Sequence, residues 1–159
     1  MIRLLEITYA NMEDICDLEV FDDQKNFLLS NVFSLAEAFS LLNERIFVKP
    51  FGVCDEDTLI GFVMVGYGTI SDPDEPKVAD GNYIMWRFMI DKKYQGKGYA
   101  KPILDKVMEY IRTFPAKPAE KIWLSYEKEN ERARKIYRDY GFVENGEICA
   151  DEIVAVYDL

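Results

Sequence analysis

The chain has 159 residues, is 49% hydrophobic and 30% charged, carries a formal charge of -10 and contains no histidine. That length suits one domain, residues 1–159, with its own core, and an aromatic share of 14% excludes a disordered chain. The acidic balance excludes nonspecific nucleic-acid binding, no run of about 18 apolar residues offers a membrane span, and the missing histidine removes Ser-His-Asp triads, His-ligated zinc and imidazole chemistry.

In chain order, Ile2–Tyr9 reads as a first strand, its early charges Arg3 and Glu6 unlike the apolar core of a secretory leader. Asn11 offers an N-cap for a helix running to about Val20. Ser34-Leu35-Ala36-Glu37 reads as a capping box opening a second helix, with an apolar stripe at Leu35, Ala38, Phe39 and Leu42. Phe47–Cys54 and Leu59–Tyr67 are strand-like runs joined by the polar Asp55-Glu56-Asp57, which makes a hairpin. Thr69–Asn82, with Pro73, Pro76 and several acids, reads as an exposed loop.

Tyr83–Ile90 is apolar apart from Arg87, as in a strand covered on both faces. Gln95-Gly96-Lys97-Gly98-Tyr99-Ala100 follows and leads into a helix with the stripe Ala100, Ile103, Leu104, Val107, Met108 and Ile111. Ile122–Tyr126 is a strand, and Asn130–Tyr140 is a helix closed by Gly141. Phe142–Glu144, extended toward Cys149, and Ile153–Leu159 complete an α/β (α+β) pattern around one sheet.

Two features carry chemistry. Gly96 and Gly98 allow close backbone approach between a strand and a helix N-terminus, where free N–H groups and the helix dipole attract an anion such as a phosphate. Lys97 and Lys101 add positive charge there. Asn130 and Tyr137 lie seven residues apart, which returns to nearly the same helical face. Alone, the glycines also fit a structural turn, Asn130 a plain cap and Tyr137 a core ring. Cys16, Cys54 and Cys149 lack metal-ligand spacing and leave an odd thiol, which suits a reducing cytoplasm and core positions. The charge of -10, with Glu19, Asp22 and Asp23 on the N-terminal segment and the acids of the Thr69–Asn82 loop, predicts an acidic acceptor cleft and favours cationic small-molecule partners.

Together these segments resemble the GNAT family of N-acetyltransferases. Gln95, Gly98 and Ala100 match its [RQ]-x-x-G-x-[GA] loop, and Asn130 to Phe142 match N-x-x-A-x-x-x-Y-x-x-x-G-F. The N-terminal part resembles the spermidine/spermine acetyltransferase branch at Gln24-Lys25-Asn26-Phe27, Asn31, Ser34-Leu35 with Ala38, and Lys49 to Val53. The resemblance implies a mixed, mostly antiparallel twisted sheet flanked by helices on both faces, with a splayed cleft after the fourth strand. It implies acetyl-CoA as co-substrate, without a metal, its pyrophosphate on the amides of Gln95, Gly96, Lys97, Gly98, Tyr99 and Ala100, near Lys101. The pantetheine arm then runs beside Phe88, Met89 and Ile90 and is held by Asn130, while Tyr137 protonates the leaving thiolate.

The implied acceptor is a small cationic amine such as spermidine or spermine. A peptide amine, an amino sugar and a CoA-binding regulatory module without turnover are the alternatives, and the oligomer is left open to a homodimer. One position departs from the branch: where some polyamine enzymes carry a glutamate base on the central strand, this chain has Trp86 followed by Arg87. Water relays, Asp80 or Glu19 stand as replacements.

Overall fold

The structure is a computed structural model that describes all 159 residues. The elements are β1 (Ile2–Glu6), α1 (Met12–Cys16), a 3₁₀ turn (Asp22–Phe27), α2 (Asn31–Asn43), β2 (Val48–Asp55), β3 (Thr58–Tyr67) and a second 3₁₀ turn (Lys77–Ala79). They continue with β4 (Tyr83–Ile90), α3 (Ala100–Ile111), β5 (Lys121–Tyr126), α4 (Glu131–Tyr140), β6 (Val143–Cys149) and β7 (Glu152–Asp158). The seven strands form one sheet in the order β1-β2-β3-β4-β5-β7-β6. Only β4 and β5 run parallel, so the sheet is mixed and mostly antiparallel.

Helices cover both faces. The α3 stripe Ile103, Leu104, Val107, Met108 and Ile111 is buried with Val53, Val63, Met85, Leu124 and, from α4, Tyr137 in the larger core. On the opposite face Ile15 of α1 and Ala38 and Leu41 of α2 pack on Val48, Phe62, Met64 and Met89. β3 is buried along most of its length because helices lie above and below it.

The N-terminal elements differ from the sequence reading. β1 ends at Glu6 rather than Tyr9, and α1 ends at Cys16 rather than near Val20. The chain beyond α1 is drawn to the glycine-bearing loop: the Glu19 amide donates to Asp91 Oδ2 (3.0 Å), and the Lys92 amide donates to the Glu19 carbonyl (2.7 Å). Ser34 is not a cap. α2 starts at Asn31, and the Ser30 hydroxyl accepts from the Phe33 amide (3.2 Å). Its buried face is Asn31, Ser34, Ala38 and Leu41, while Phe39 and Leu42 stay 67% and 54% exposed. The reason is a contact between helices: the Asn31 amide donates to the Ile15 carbonyl (2.8 Å), and that bond lets Asn31 sit on the inner face beside Ala38 and Leu41 while Phe39 and Leu42 face outward. The Thr69–Asn82 loop is partly folded in, with Ala79 fully buried.

Strand β4 is bulged. Met64 of β3 pairs with Arg87 and Val65 pairs with Met85, so Trp86 is the extra residue. Trp86 packs toward the face of α1 and α2, and Arg87 reaches the same face, bonding Glu37 of α2 (2.9 Å). At Gly61, on the facing strand, an added Cβ would lie 2.5 Å from the Met89 carbonyl oxygen. Gly61→Ala should therefore lower unfolding stability by about 1–3 kcal/mol through overpacking. Urea denaturation with an unchanged midpoint would show that the two strands can part at that point without cost.

Candidate active site

β4 and β5 share a ladder only at Tyr83–Ile122 and Ile84–Trp123. Beyond Ile84 they diverge, and a cleft opens between them. Its wider half has a volume of about 550 Å³ and its narrower half about 300 Å³. Phe27, Leu28, Phe88, Asn130, Ala133 and Tyr137 line both halves, so the two meet at Tyr137. The predicted residues Met89, Ile90 and Gln95 line the narrow half.

The glycine-bearing loop follows β4, and beyond Gln95 its residues Gly96 to Ala100 lie outside these two volumes. Asp91, 4% exposed, anchors it: Oδ1 accepts from the Lys93 amide (2.9 Å) and Oδ2 from the Glu19 amide. Gln95 folds inward, donating to the Ile90 carbonyl (2.9 Å) and exchanging amide hydrogen bonds with Gln24 (2.8 and 3.0 Å). Gly96 (φ 74°) and Gly98 (φ 82°) occupy the left-handed region, and no atom lies within 4 Å of where their Cβ atoms would be. The amides of Gly96, Lys97, Gly98, Tyr99 and Ala100 bond no protein acceptor, and no side chain caps α3. Consecutive free N–H groups at an uncapped helix start form an anion-binding concavity.

Two side chains of this segment are committed elsewhere. The Tyr99 hydroxyl donates to Asp55 Oδ2 (3.0 Å). Lys101 pairs with Asp105 (2.9 Å) across the helix surface. Lys97 lies over the Tyr94 ring, 5.2 Å from its centroid.

α4 brings the second pair together as spaced in the sequence. Asn130 is a cap, its Oδ1 accepting from the Ala133 amide (3.1 Å), and it lines both halves of the cleft. The helix closes in a Schellman motif: the Phe142 amide donates to the Tyr137 carbonyl (2.9 Å) and the Gly141 amide to Arg138 (3.1 Å). The Tyr137 ring stacks on Tyr126 at 5.9 Å between centroids and touches Phe88 and Phe142. Burial, with the Tyr126 phenol a smaller cause, drives its pKa well above the ordinary tyrosine value. At neutral pH its hydroxyl is a retained donor. Tyr126 is pushed up to about 12 by burial and by its hydrogen bond to Glu144 (3.0 Å).

The wide half holds the loop acids Asp72 and Glu75, and with them Glu37, Glu127 and Glu152, to which the sequence assigns no part in the site. Against these stand the cations Lys25 and Arg87. Lys25 is paired with Asp22 (2.6 Å) and Arg87 with Glu37 (2.9 Å). Trp86 and Trp123 form part of its wall. Cys149 also lines it, and burial, Glu152 and the loop acids push its thiol up to about 11, which leaves it protonated and unreactive. Of the acids favoured by sequence, Glu19 pairs with Lys92 and Asp22 with Lys25, and neither they nor Asp80 line the cleft. Glu19 and Asp80 are therefore not replacements for the missing strand glutamate. Asp23 lines the narrow half, and Asp72 and Glu75 supply the loop acids.

The acetyltransferase (GNAT) family profile matches residues 12–142. The spermine/spermidine N(1)-acetyltransferase of Bacillus subtilis (strain 168) is 32% identical over 147 residues, spanning 92% of this chain and 91% of that protein. Among solved structures, an aminoglycoside acetyltransferase in complex with coenzyme A aligns with a TM-score of 0.79 at 17% identity, over 99% of this chain and 95% of that one. The spermidine N-acetyltransferase from Vibrio cholerae, in complex with CoA and spermine, aligns with a TM-score of 0.67 at 19% identity, over 99% and 95%. At such identities the structures speak for the fold, and the fold is the one that the two motifs imply. With the profile covering most of its length and a relative matched end to end, the chain belongs to the GNAT family of acetyltransferases.

Proposed function

We propose that the protein transfers the acetyl group of acetyl-CoA to a primary amine of a polyamine, by direct attack of the amine on the thioester. The observation that carries this reading is the asymmetry of the cleft. Its narrow half, lined by Asp23, Glu129 and Glu131 against Arg132, ends at Gln95, beside which the free amides of Gly96 to Ala100 begin, and its wide half is lined by five carboxylates against two cations. An anionic cofactor suits one end and a polycation the other. The relative named for spermine and spermidine supports the same acceptor.

The residues present divide the work. The Gly96 to Ala100 amides hold the pyrophosphate, with the α3 dipole adding to the attraction. Beyond Ile84 the β4 edge is free of β5, and its Phe88–Ile90 backbone is left to pair with the amide-bearing pantetheine arm. Asn130 and Tyr137 flank that arm where the two halves meet. An acceptor ammonium, with a pKa near 10 as in lysine, loses a proton, and its lone pair attacks the thioester carbonyl. The C–S bond then breaks with its electron pair on sulfur. A free alkyl thiol has a pKa of about 8.5, below that of the buried Tyr137, so complete transfer from the phenol is uphill. Tyr137 acts as a hydrogen-bond donor to the sulfur as negative charge develops.

Three outcomes follow from this division. Gly98→Glu places a carboxylate at the anion site and should abolish acetyl-CoA binding in calorimetry, whereas Gly98→Ala, with the same backbone strain and no charge, should weaken it far less. Equal loss in both variants would assign the effect to the backbone and remove the pyrophosphate site. Tyr137→Phe keeps the ring and removes the donor. A hydrogen bond to a charged group is worth about 1.5–3 kcal/mol, so kcat should fall about 10- to 100-fold with the KM for acetyl-CoA little changed. Full kcat would leave Tyr137 as packing.

The third concerns the acceptor. Spermine should be preferred over a neutral primary amine or an amino sugar at low salt. The preference should shrink as salt rises, because exposed charges are screened beyond about 10 Å at 0.1 M. A salt-independent preference, or one for an amino sugar, would overturn the polyamine assignment.

A further inference from the structure

The antiparallel pairing of β5 with β7 runs from Lys121–Asp158 to Tyr126–Ile153. One step further, the same register sets Glu127 opposite Glu152. Like charges directly opposite on neighbouring strands destabilise a sheet, and here the pair stands at the cleft rather than in open solvent, for both residues line its wide half together with Tyr137. The Ser125 hydroxyl donates to Glu152 Oε2 and fixes that side chain. Trp123, on the same β5 face by alternation, lines the same wall, and its buried indole N–H has no protein partner.

We propose that Glu127, held against Glu152, takes the proton from the acceptor ammonium and so fills the role left vacant by Trp86. This rests on the amine-acetylation reading above. Its physical basis is the pair. When Glu127 is ionised it faces a second carboxylate, and taking a proton both removes that repulsion and makes a hydrogen bond between the two. Burial is the largest cause raising the Glu127 pKa, followed by the charge of Glu152, its hydrogen bond and the charge of Glu129. Arg87 of β4 feels Glu152 and is paired with Glu37 of α2. Asp72 and Glu75 face the same cavity from their loop.

The protons balance. The ammonium gives one to Glu127, and the neutral amine adds to the thioester carbon. As the C–S bond breaks, its electron pair stays on sulfur, where the Tyr137 hydroxyl donates a hydrogen bond; the second nitrogen proton leaves to water, and the thiolate takes one proton from water. Glu127 releases its proton to water once the amide and the thiol have formed.

The test is steady-state kinetics across pH, with calorimetry for acetyl-CoA, on wild type, Glu127→Gln and Glu152→Gln, using spermine and a primary amine already neutral at the assay pH. Glu127→Gln should bind acetyl-CoA normally and melt no lower than wild type, since it relieves a like-charge pair. Its kcat for spermine should drop about 10²–10⁴-fold and recover with the neutral amine, which needs no base. Glu152→Gln should move the acid limb of the kcat profile to lower pH, because loss of the neighbouring charge lowers the Glu127 pKa.

A wild-type kcat and pH profile in Glu127→Gln would overturn the proposal, as would an equal loss with both amines. If wild type turns over an amino sugar and not spermine, the polyamine reading falls, and the same comparison on the amino sugar decides the role of Glu127.

Discussion

The early parting of β4 from β5 is the constraint on which the functional cleft depends. Two residue pairs hold the strands together, and then their ladder ends. A strand that leaves its partner exposes unpaired N–H and C=O groups, which cost free energy unless something else bonds them. Here the bulge at Trp86 bends β4 at the start of the divergence and sets two successive side chains, Trp86 and Arg87, on the α2 face. The edge beyond is left for an extended ligand, and the space between the strands becomes a binding cleft.

Keeping that cleft open needs an anchor at its far end, which the glycine-bearing loop and the chain after α1 supply to each other. Asp91 ties Glu19 and Lys93, Lys92 ties back to Glu19, and Gln95 is locked to Gln24 and to the end of β4. The 3₁₀ turn bearing Gln24 also contributes Phe27, which lines both halves of the cleft. A segment that walls the acceptor side is thus hydrogen-bonded to the loop that presents free amides to an anion. The short α1 and the irregular stretch after it follow from these tethers, since residues bonded to a loop on another element cannot also continue a helix.

Much of this was legible in the sequence because the informative residues are local. Gly96 and Gly98 are needed for φ values of 74° and 82°, and the Asn130–Tyr137 spacing is a property of any α-helix. The strands, α3 and α4 were readable from periodicity for the same reason. α2 was misread because its inner face mixes the polar Asn31 and Ser34 with Ala38 and Leu41: the bond from Asn31 to the Ile15 carbonyl joins residues of two helices, and a hydrophobic stripe cannot announce it. Glu127 and Glu152 of the wide half were missed on similar grounds, whereas Asp72 and Glu75 belong to the loop acids that the sequence offered. Glu127 and Glu152 are remote in the chain and meet only because β5 and β7 are neighbours in a definite register. Counting from a known strand pairing would have found them, but the pairing itself is a tertiary fact.

The electrostatics of the cleft then follow from where the fold spends its cations. Arg87 is committed to Glu37, Lys25 to Asp22 and Lys101 to Asp105, so none is a free positive charge inside the wide half. The folded chain gains little from setting Glu127 beside Glu152 in a partly desolvated space, because burial and the neighbouring charge both oppose the ionisation of Glu127. The same two terms become favourable when a polyammonium ion enters, since its charges replace the lost hydration and offset the repulsion. The Glu127–Glu152 pair, unfavourable for the empty protein, is in this way complementary to the proposed cationic acceptor.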